Sequence, residues 1–405
     1  MKALKKAAAA LLAAALLVTC FAGCSKKDGG GDYTSGNTEF VIGATGPLTG
    51  GNSVYGLAVQ NSAQMAIDEI NAAGGLNGVN FKLIMLDDKG EASTIATNYA
   101  SLVESGMQVS LGTVTTAPGL EFKNLAKEDN VFFLTPSASG DAIPEFDNGY
   151  QMCFADGNQG AAAAKYVNEN LAGQTIGVLY KSDDPYSTGI LDQFKENLDD
   201  SITLTEASFM GETVASFDSQ VNILKDCKFI FMPIYYTPAA QFMVQAKNVI
   251  AADAVYYGCD GLDGIETGVE GFDIYTIPQE ISYLSHFNSK ATEGPAAEFI
   301  QKYVEKYGSA TLNQFGASAY DCVYAIYGAM QQAIDNGETI GVTIGASDLC
   351  EILKSVFNGG YTFTGVTGEY ADGKQSSISW ETNGYVNKSA VKYIVKEAGA
   401  QKPAE

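Results

Sequence analysis

Gly112-Thr-Val-Thr-Thr-Ala-Pro118 and Thr135-Pro-Ser-Ala-Ser-Gly140 are the two stretches on which the reading of this chain turns. Each follows a short apolar run, Val109 to Leu111 and Val131-Phe-Phe-Leu134, that reads as a buried strand, and each is crowded with hydroxyls and small side chains before a helical pattern resumes. A parallel α/β sheet ends its strands at helix N-termini, where free backbone N–H groups and the helix dipole favour a small anion such as a carboxylate. Ser and Thr add donors there without blocking access. The same residues also make ordinary turns and N-caps, so the surrounding chain has to decide.

Outward from these turns the pattern is βαβα. Phe40-Val-Ile-Gly-Ala opens a strand, a loop follows at Thr45 to Gly51, and a helix runs from about Tyr55 to Ala73, stopped by Gly74-Gly75. A second strand (Phe81 to Leu86) and helix (Ala92 to Glu104) precede the two turns, and Pro118 to Glu128 is the helix between them. The rhythm then repeats, with strands at Thr175 to Tyr180, Thr203 to Phe209, Phe229 to Met232, Val255 to Tyr257 and Ile274 to Ile277. Helical segments separate them near Ala161, Gly189, Val221 and Gln241. Two sheets of about five strands fit this better than one of ten. Helices at Pro295 to Tyr307, Phe315 to Asn336 and Ser347 to Phe357, then late β segments at Ser376 to Trp380 and Val391 to Val395, imply a chain that crosses between two lobes several times. A ligand belongs in the cleft between them.

Composition narrows the function. The 405 residues carry a formal charge of −23, and all 24 basic residues are lysine. Without arginine there is no bidentate guanidinium clamp, so a bound anion must be held by backbone N–H, hydroxyls or lysine. The negative charge repels nucleic acid, which binds through cationic phosphate contacts. A single histidine (His286), no G-x-S-x-G elbow and no metal-ligand spacing leave no nucleophile and base pair, so an enzyme is not expected.

Lys2, Lys5 and Lys6, the apolar segment Ala7 to Val18 and the small-residue ending Phe21-Ala-Gly-Cys24 make residues 1–23 a signal peptide, too short for a comfortable membrane span. Residues 24–38 are Gly-, Ser- and Asp-rich and read as a flexible tether. The cysteines beyond Cys24 are Cys153, Cys227, Cys259, Cys322 and Cys350; odd in number and mostly in apolar contexts, they read as buried free thiols.

Family features are carried by longer motifs. The run VIGATGPLTGGNSVYGLAVQNSAQMAIDEINAAGGLNG (41–78) resembles the opening of the leucine/isoleucine/valine-binding proteins of ABC importers. GTVTTAP, FFLTPSASG, YYTPAAQFMVQAK, GCDG and QFGASAYDCVYAI follow in that family's order, so the likeness runs from about Phe40 to about Lys396. The resemblance implies a periplasmic-binding-protein type I fold: α/β, with two Rossmann-like doubly wound lobes joined by three crossovers. It implies lobe 1 from 39–155 and 283–366, lobe 2 from 156–282 and 367–396, and a tail at 397–405. The ending at Cys24 resembles a lipobox, implying a diacylglycerol on that cysteine and an extracytoplasmic protein anchored to the cell membrane.

For the site, the resemblance implies that Thr116 and Thr115 donate to a ligand carboxylate from the first turn, with Ser137, Ala138 and Ser139 serving from the second. Tyr55 covers the cleft mouth or acts as a hydrophobic staple. Tyr186 and Tyr235 face the ligand from the second lobe, and a shift of one residue gives Tyr236 the role of Tyr235. Asp260 pairs with an α-ammonium or caps the turn after its strand; where many relatives hold glutamate, its arm is shorter. Asp156 supports the site or caps the helix near Gln159, and Phe315 lines the pocket or joins the core. The first-lobe disulfide common in relatives has no cysteines here, around Gly90 and Thr115. The implied partners are a small amino acid, branched-chain or similar, and ABC permease subunits. The expected protein is a monomer with no cofactor and no metal. The same fold also serves carriers of amides, short peptides or aromatic acids, and sensors.

Overall fold

The computed structural model describes residues 33–211, 214–266 and 269–402. The signal segment, Cys24 and most of the tether therefore lie outside the described residues. The first sheet holds β1 (Phe40–Gly46), β2 (Phe81–Asp87), β3 (Val109–Ser110), β4 (Phe133–Thr135) and β5 (Gly149–Gln151) in the order β2-β1-β3-β4-β5, every neighbouring pair parallel. All seven residues of β1 are buried, as a strand covered by helices on both faces requires. Interleaved are α1 (Ser53–Ala72), α2 (Ile95–Glu104) and α3 (Thr116–Glu128).

After α4 (Asp156–Asn170) comes the second sheet, with β6 (Thr175–Lys181), α5 (Pro185–Glu196), β7 (Thr203–Phe209), α6 (Asp218–Leu224), β8 (Phe229–Met232), α7 (Tyr236–Ala246), β9 (Val255–Gly258) and β10 (Glu280–Ser285). The chain then forms α8 (Gly294–Tyr307), α9 (Gln314–Asp335) and α10 (Ala346–Asn358). Four two-residue strands follow, β11 (Thr362–Phe363), β12 (Tyr370–Ala371), β13 (Lys374–Gln375) and β14 (Ile378–Ser379), before β15 (Val391–Lys396). The second sheet has the order β15-β10-β9-β8-β6-β7, parallel except for β15. In both sheets the strand order reverses beside the first strand laid down, β1 and β6, so a crevice opens at the carboxyl ends.

Four points differ from the sequence reading. Ile274–Thr276 is a 3-10 turn rather than a strand, because Asp273 caps it through Tyr275 N–H (2.9 Å), and the strand is Glu280–Ser285 instead. Strand β5, with a glycine at its start, carried too weak a pattern to be seen. The boundary at 282/283 falls inside β10, which belongs whole to the second sheet. Residues before Lys388 do not leave the first lobe at 366/367 either: Trp380 Nε1 donates to Gln151 O (2.7 Å) and Gln151 N to Gly384 O (3.0 Å), covering the edge that β5 would otherwise leave open. Gly384 has φ +83° and a Cβ there would lie 2.3 Å from Gly149 O, so only glycine permits this docking. Val391–Lys396 alone returns to the second sheet.

Helices α8 and α9 pack on α1, tied by Lys302–Glu69 (3.0 Å) and Lys306–Asp68 (2.6 Å). The chain thus passes between sheets three times: after β5, after β10 and before β15. His286 lies on the second passage, its Nε2 2.8 Å from Ser318 Oγ and its ring edge-on to Phe154 of the first. Burial pushes its pKa well below the ordinary value, so the imidazole is a neutral strut between crossings. The five cysteines beyond Cys24 are free and buried, as expected. No described helix is long and apolar enough to cross a membrane.

Candidate functional site

The two hydroxyl-rich turns lie side by side where β3 and β4 end. Thr135 Oγ1 donates to Thr113 O (2.7 Å) and accepts from Ala138 N (3.1 Å), while Ser137 Oγ donates to Val114 O (2.7 Å). These bonds lace one turn to the other, and the Ser137 hydroxyl, expected to reach a ligand, is committed to this lacing. Gln151 holds the second turn from β5, its Nε2 donating to Ala138 O (2.9 Å) and Gly140 O (3.2 Å). Thr115 is the N-cap residue of α3, but its side chain makes no cap bond. The hydroxyls of Thr115 and Thr116 are buried without a hydrogen-bond partner in the protein.

Opposite them stands a second cluster, built on α4, α5 and the turn after β9. Asp260 is 1% exposed; its Oδ1 accepts from Tyr186 Oη (2.7 Å) and its backbone N–H donates to Gln159 Oε1 (2.9 Å). Gly261 N donates to the same Tyr186 oxygen at 2.8 Å, and a Cβ on Gly261 would lie 2.6 Å from it. The GCDG motif therefore needs its glycine for this close approach. Gln159 Nε2 also reaches Asp156 Oδ1 at 3.4 Å, so one amide spans both acids. Asp156 N donates to Ser139 O (2.8 Å), joining α4 to the second turn. Sequence reasoning missed Gln159, whose only signal was its place one turn after Asp156.

The tyrosines form the wall. Tyr186 and Tyr235 stack with ring centroids 4.6 Å apart and planes 9° from parallel. Tyr235, rather than Tyr236, stands on this wall, stacked on Tyr186; burial first, and then the acids at Asp184, Asp156 and Asp260, raise its pKa, and a backbone hydrogen bond with Thr116 opposes them. Tyr236 is turned into the core, edge-on to Tyr55 at 4.9 Å. Tyr55 is fully buried and donates across the cleft to Gly261 O (2.5 Å), so it bridges the lobes. Phe315 is buried against it at 4.5 Å and belongs to the core. Thr237 Oγ1 to Gly51 O (2.7 Å) adds another bond between the lobes at this edge.

The electrostatics are one-sided. Burial raises the Asp260 carboxyl to about 6, against the bonds from Tyr186, Gln159 and Gly261. Asp156 is pushed well above its ordinary value by burial and then by the charge of Asp260. No lysine is among the largest influences on either acid. Asp156 Oδ2 and Asp260 Oδ2 are both buried without a partner. One wall of the cleft thus offers unpaired hydroxyl donors and the other unpaired carboxylate oxygens. Among the described residues, no group of three or more His, Cys, Asp or Glu could hold a metal ion.

Residues 39–348 match the model of the periplasmic binding protein family. The chain belongs to that family. As a periplasmic binding protein it is a substrate-binding protein and not an enzyme. It is 26% identical over 361 residues to a Leu/Ile/Val-binding protein of Rhizobium johnstonii, covering 85% of this chain and 92% of that one. A branched-chain amino acid transporter substrate-binding protein from Streptococcus pneumoniae, solved in complex with isoleucine, superposes with a TM-score of 0.71 at 25% identity, covering 88% of this chain and 100% of that one. A solute-binding protein from R. palustris, in complex with benzoate, reaches a TM-score of 0.73 at 15% identity over 89% of this chain and 94% of its own; that likeness shows the fold alone.

Proposed function

We propose that this periplasmic binding protein captures a small zwitterionic amino acid, branched-chain or similar, between its lobes. The observation that carries the reading is the pair of unpartnered carboxylate oxygens, Asp156 Oδ2 and Asp260 Oδ2, buried with no lysine among their largest influences. Two buried like charges without a cation are costly, and an ammonium set between them removes the cost. The buried hydroxyls of Thr115 and Thr116 then donate to the carboxylate at the other end, aided by the N-terminus of α3. The ligand side chain meets the stacked rings of Tyr186 and Tyr235.

Closure brings Tyr55 and the turn at Asp260 over the guest and presents both lobes to an ABC permease. Lipidation at Cys24 would keep the protein, working as a monomer, at the outer face of the membrane. The resemblance of residues 21–24 to a lipobox supports this. An aromatic acid is the second reading. The tyrosine wall suits a ring, but such a ligand brings no cation to the two acids. A thermal-shift screen of the twenty amino acids, simple amides, short peptides and benzoates separates these readings, since a ligand of the native state raises the melting temperature. A response to amino acids and not to benzoates is expected; the reverse response, or turnover of any of them, overturns the reading.

A further inference from the structure

We propose that Asp263 is the positioning residue that makes capture of an ammonium at Asp260 and closure of the two lobes a single event. The inference rests on the amino-acid reading above but concerns a side chain that is not part of the ligand-binding wall. Asp263 follows β9 in the second lobe and is 5% exposed. Its Oδ2 accepts from the backbone N–H of Gln314, the first residue of α9 in the first lobe, at 2.8 Å. The next two N–H groups of α9, those of Phe315 and Gly316, are taken by Asn313 Oδ1 at 3.0 Å each. The N-terminus of this 22-residue helix is therefore capped by two residues, one of them supplied by the opposite lobe.

The carboxylate is fixed to its own lobe by the other oxygen, Oδ1, which accepts from Tyr283 Oη of β10 at 2.9 Å. Asp263 N donates to Asp260 O at 2.9 Å, closing the turn that carries the ammonium acceptor, and Gly261 O in that turn receives Tyr55 Oη from the first lobe at 2.5 Å. One short turn thus holds the ligand's acid and two bonds between the lobes. The charges around it act in the same sense. Burial and then Glu266 work against the Asp263 carboxylate, Gln314 N–H and Tyr283 favour it, and Asp263 in turn raises the pKa of Asp260. A ligand ammonium held by Asp260 and the α9 N-terminus held by Asp263 fix the same turn, so seating one favours seating the other and the ligand favours the closed form beyond its direct contacts. Asn313 remains as a cap when the lobes part, so the first lobe does not depend on Asp263 for its fold.

The test compares wild type, Asp263→Asn, Asp263→Ala and Tyr283→Phe, using as probe the standard amino acid that wild type binds most tightly. Stopped-flow binding gives the rate constants, a pair of spin labels on the two lobes gives closure, and ligand-free melting gives the fold. The expected result for Asp263→Asn is dissociation faster by about tenfold or more, association within about twofold, ligand-free melting nearly unchanged and incomplete closure at saturation; Tyr283→Phe moves the same way by less. Unchanged dissociation and closure in both Asp263 variants, or ligand-free melting that falls in step with affinity, overturns the proposal while the amino-acid reading stands. A wild-type protein that binds none of the twenty amino acids removes both.

Discussion

Replacing Asp260 by Asn is the substitution with the largest expected effect on binding. The amide keeps the shape and an oxygen for Tyr186 Oη, 2.7 Å away, so the turn and the stacked wall survive. It removes the charge from an oxygen that is buried and otherwise unpartnered. Removing one partner of a buried ion pair costs about 3–5 kcal/mol. At about 1.4 kcal/mol per decade that is a loss of roughly two to three and a half decades in Kd. Asp156 still faces the ammonium, which places the expected loss near the lower end, about a hundredfold. Isothermal calorimetry of wild type and Asp260→Asn with the best amino acid from the screen measures it. Equal affinity in the two proteins refutes the assignment of Asp260 to the ammonium, provided the variant melts as wild type does.

Tyr55→Phe deletes the 2.5 Å bond to Gly261 O between the lobes and should weaken binding about three- to tenfold, mainly in dissociation, on the usual net worth of a hydrogen bond. The pH profile should separate ligand classes. A benzoate leaves Asp156 and Asp260 without a cation, so their carboxyls stay raised in the closed form, that of Asp260 to about 6. Closure then takes up protons, and benzoate affinity should rise as pH falls from 8 through 6, whereas an amino acid, whose ammonium keeps the acids ionised, should show a nearly flat titration over that span. Gly384→Ala should lower the melting temperature, because its Cβ would meet Gly149 O at 2.3 Å in a left-handed backbone. Cys153, Cys227, Cys259, Cys322 and Cys350 should fail to react with a thiol reagent until the protein unfolds, since all five are buried and burial raises the pKa of each where it is shifted.

What was legible in the sequence follows from how each feature is encoded. Strands such as β1 and β8 are continuous apolar runs, and the hydroxyl-rich turns after β3 and β4 are local patterns, so both could be read directly. The strand at Glu280–Ser285 could not: its apolar signal is weaker than that of Ile274–Ile277, where capping by Asp273 makes a 3-10 turn. The docking of Trp380 and Gly384 on β5 joins residues more than two hundred positions apart, and nothing local announces it. Within the site, residue types that bear charge or an aromatic ring stood out. Ser137 belongs to a local pattern that suits a ligand as well as a turn, and its hydroxyl donates to Val114 O, lacing the turns together. Gln159 and Asp263 were not singled out, since each acts through another group rather than facing the cleft alone. The choice between Tyr235 and Tyr236 depends on where α7 begins, and that start, with Tyr235 as the N-cap residue, sends the two rings in different directions.

A crystal structure of the protein with its tightest-binding amino acid is the direct trial. The ligand nitrogen should lie within about 3 Å of Asp260 Oδ2 and near Asp156, with its carboxylate on the hydroxyls of Thr115 and Thr116, a spacing set by ordinary charged hydrogen bonds. A ligand bound the other way round, or one that leaves Asp156 and Asp260 untouched, would contradict the account.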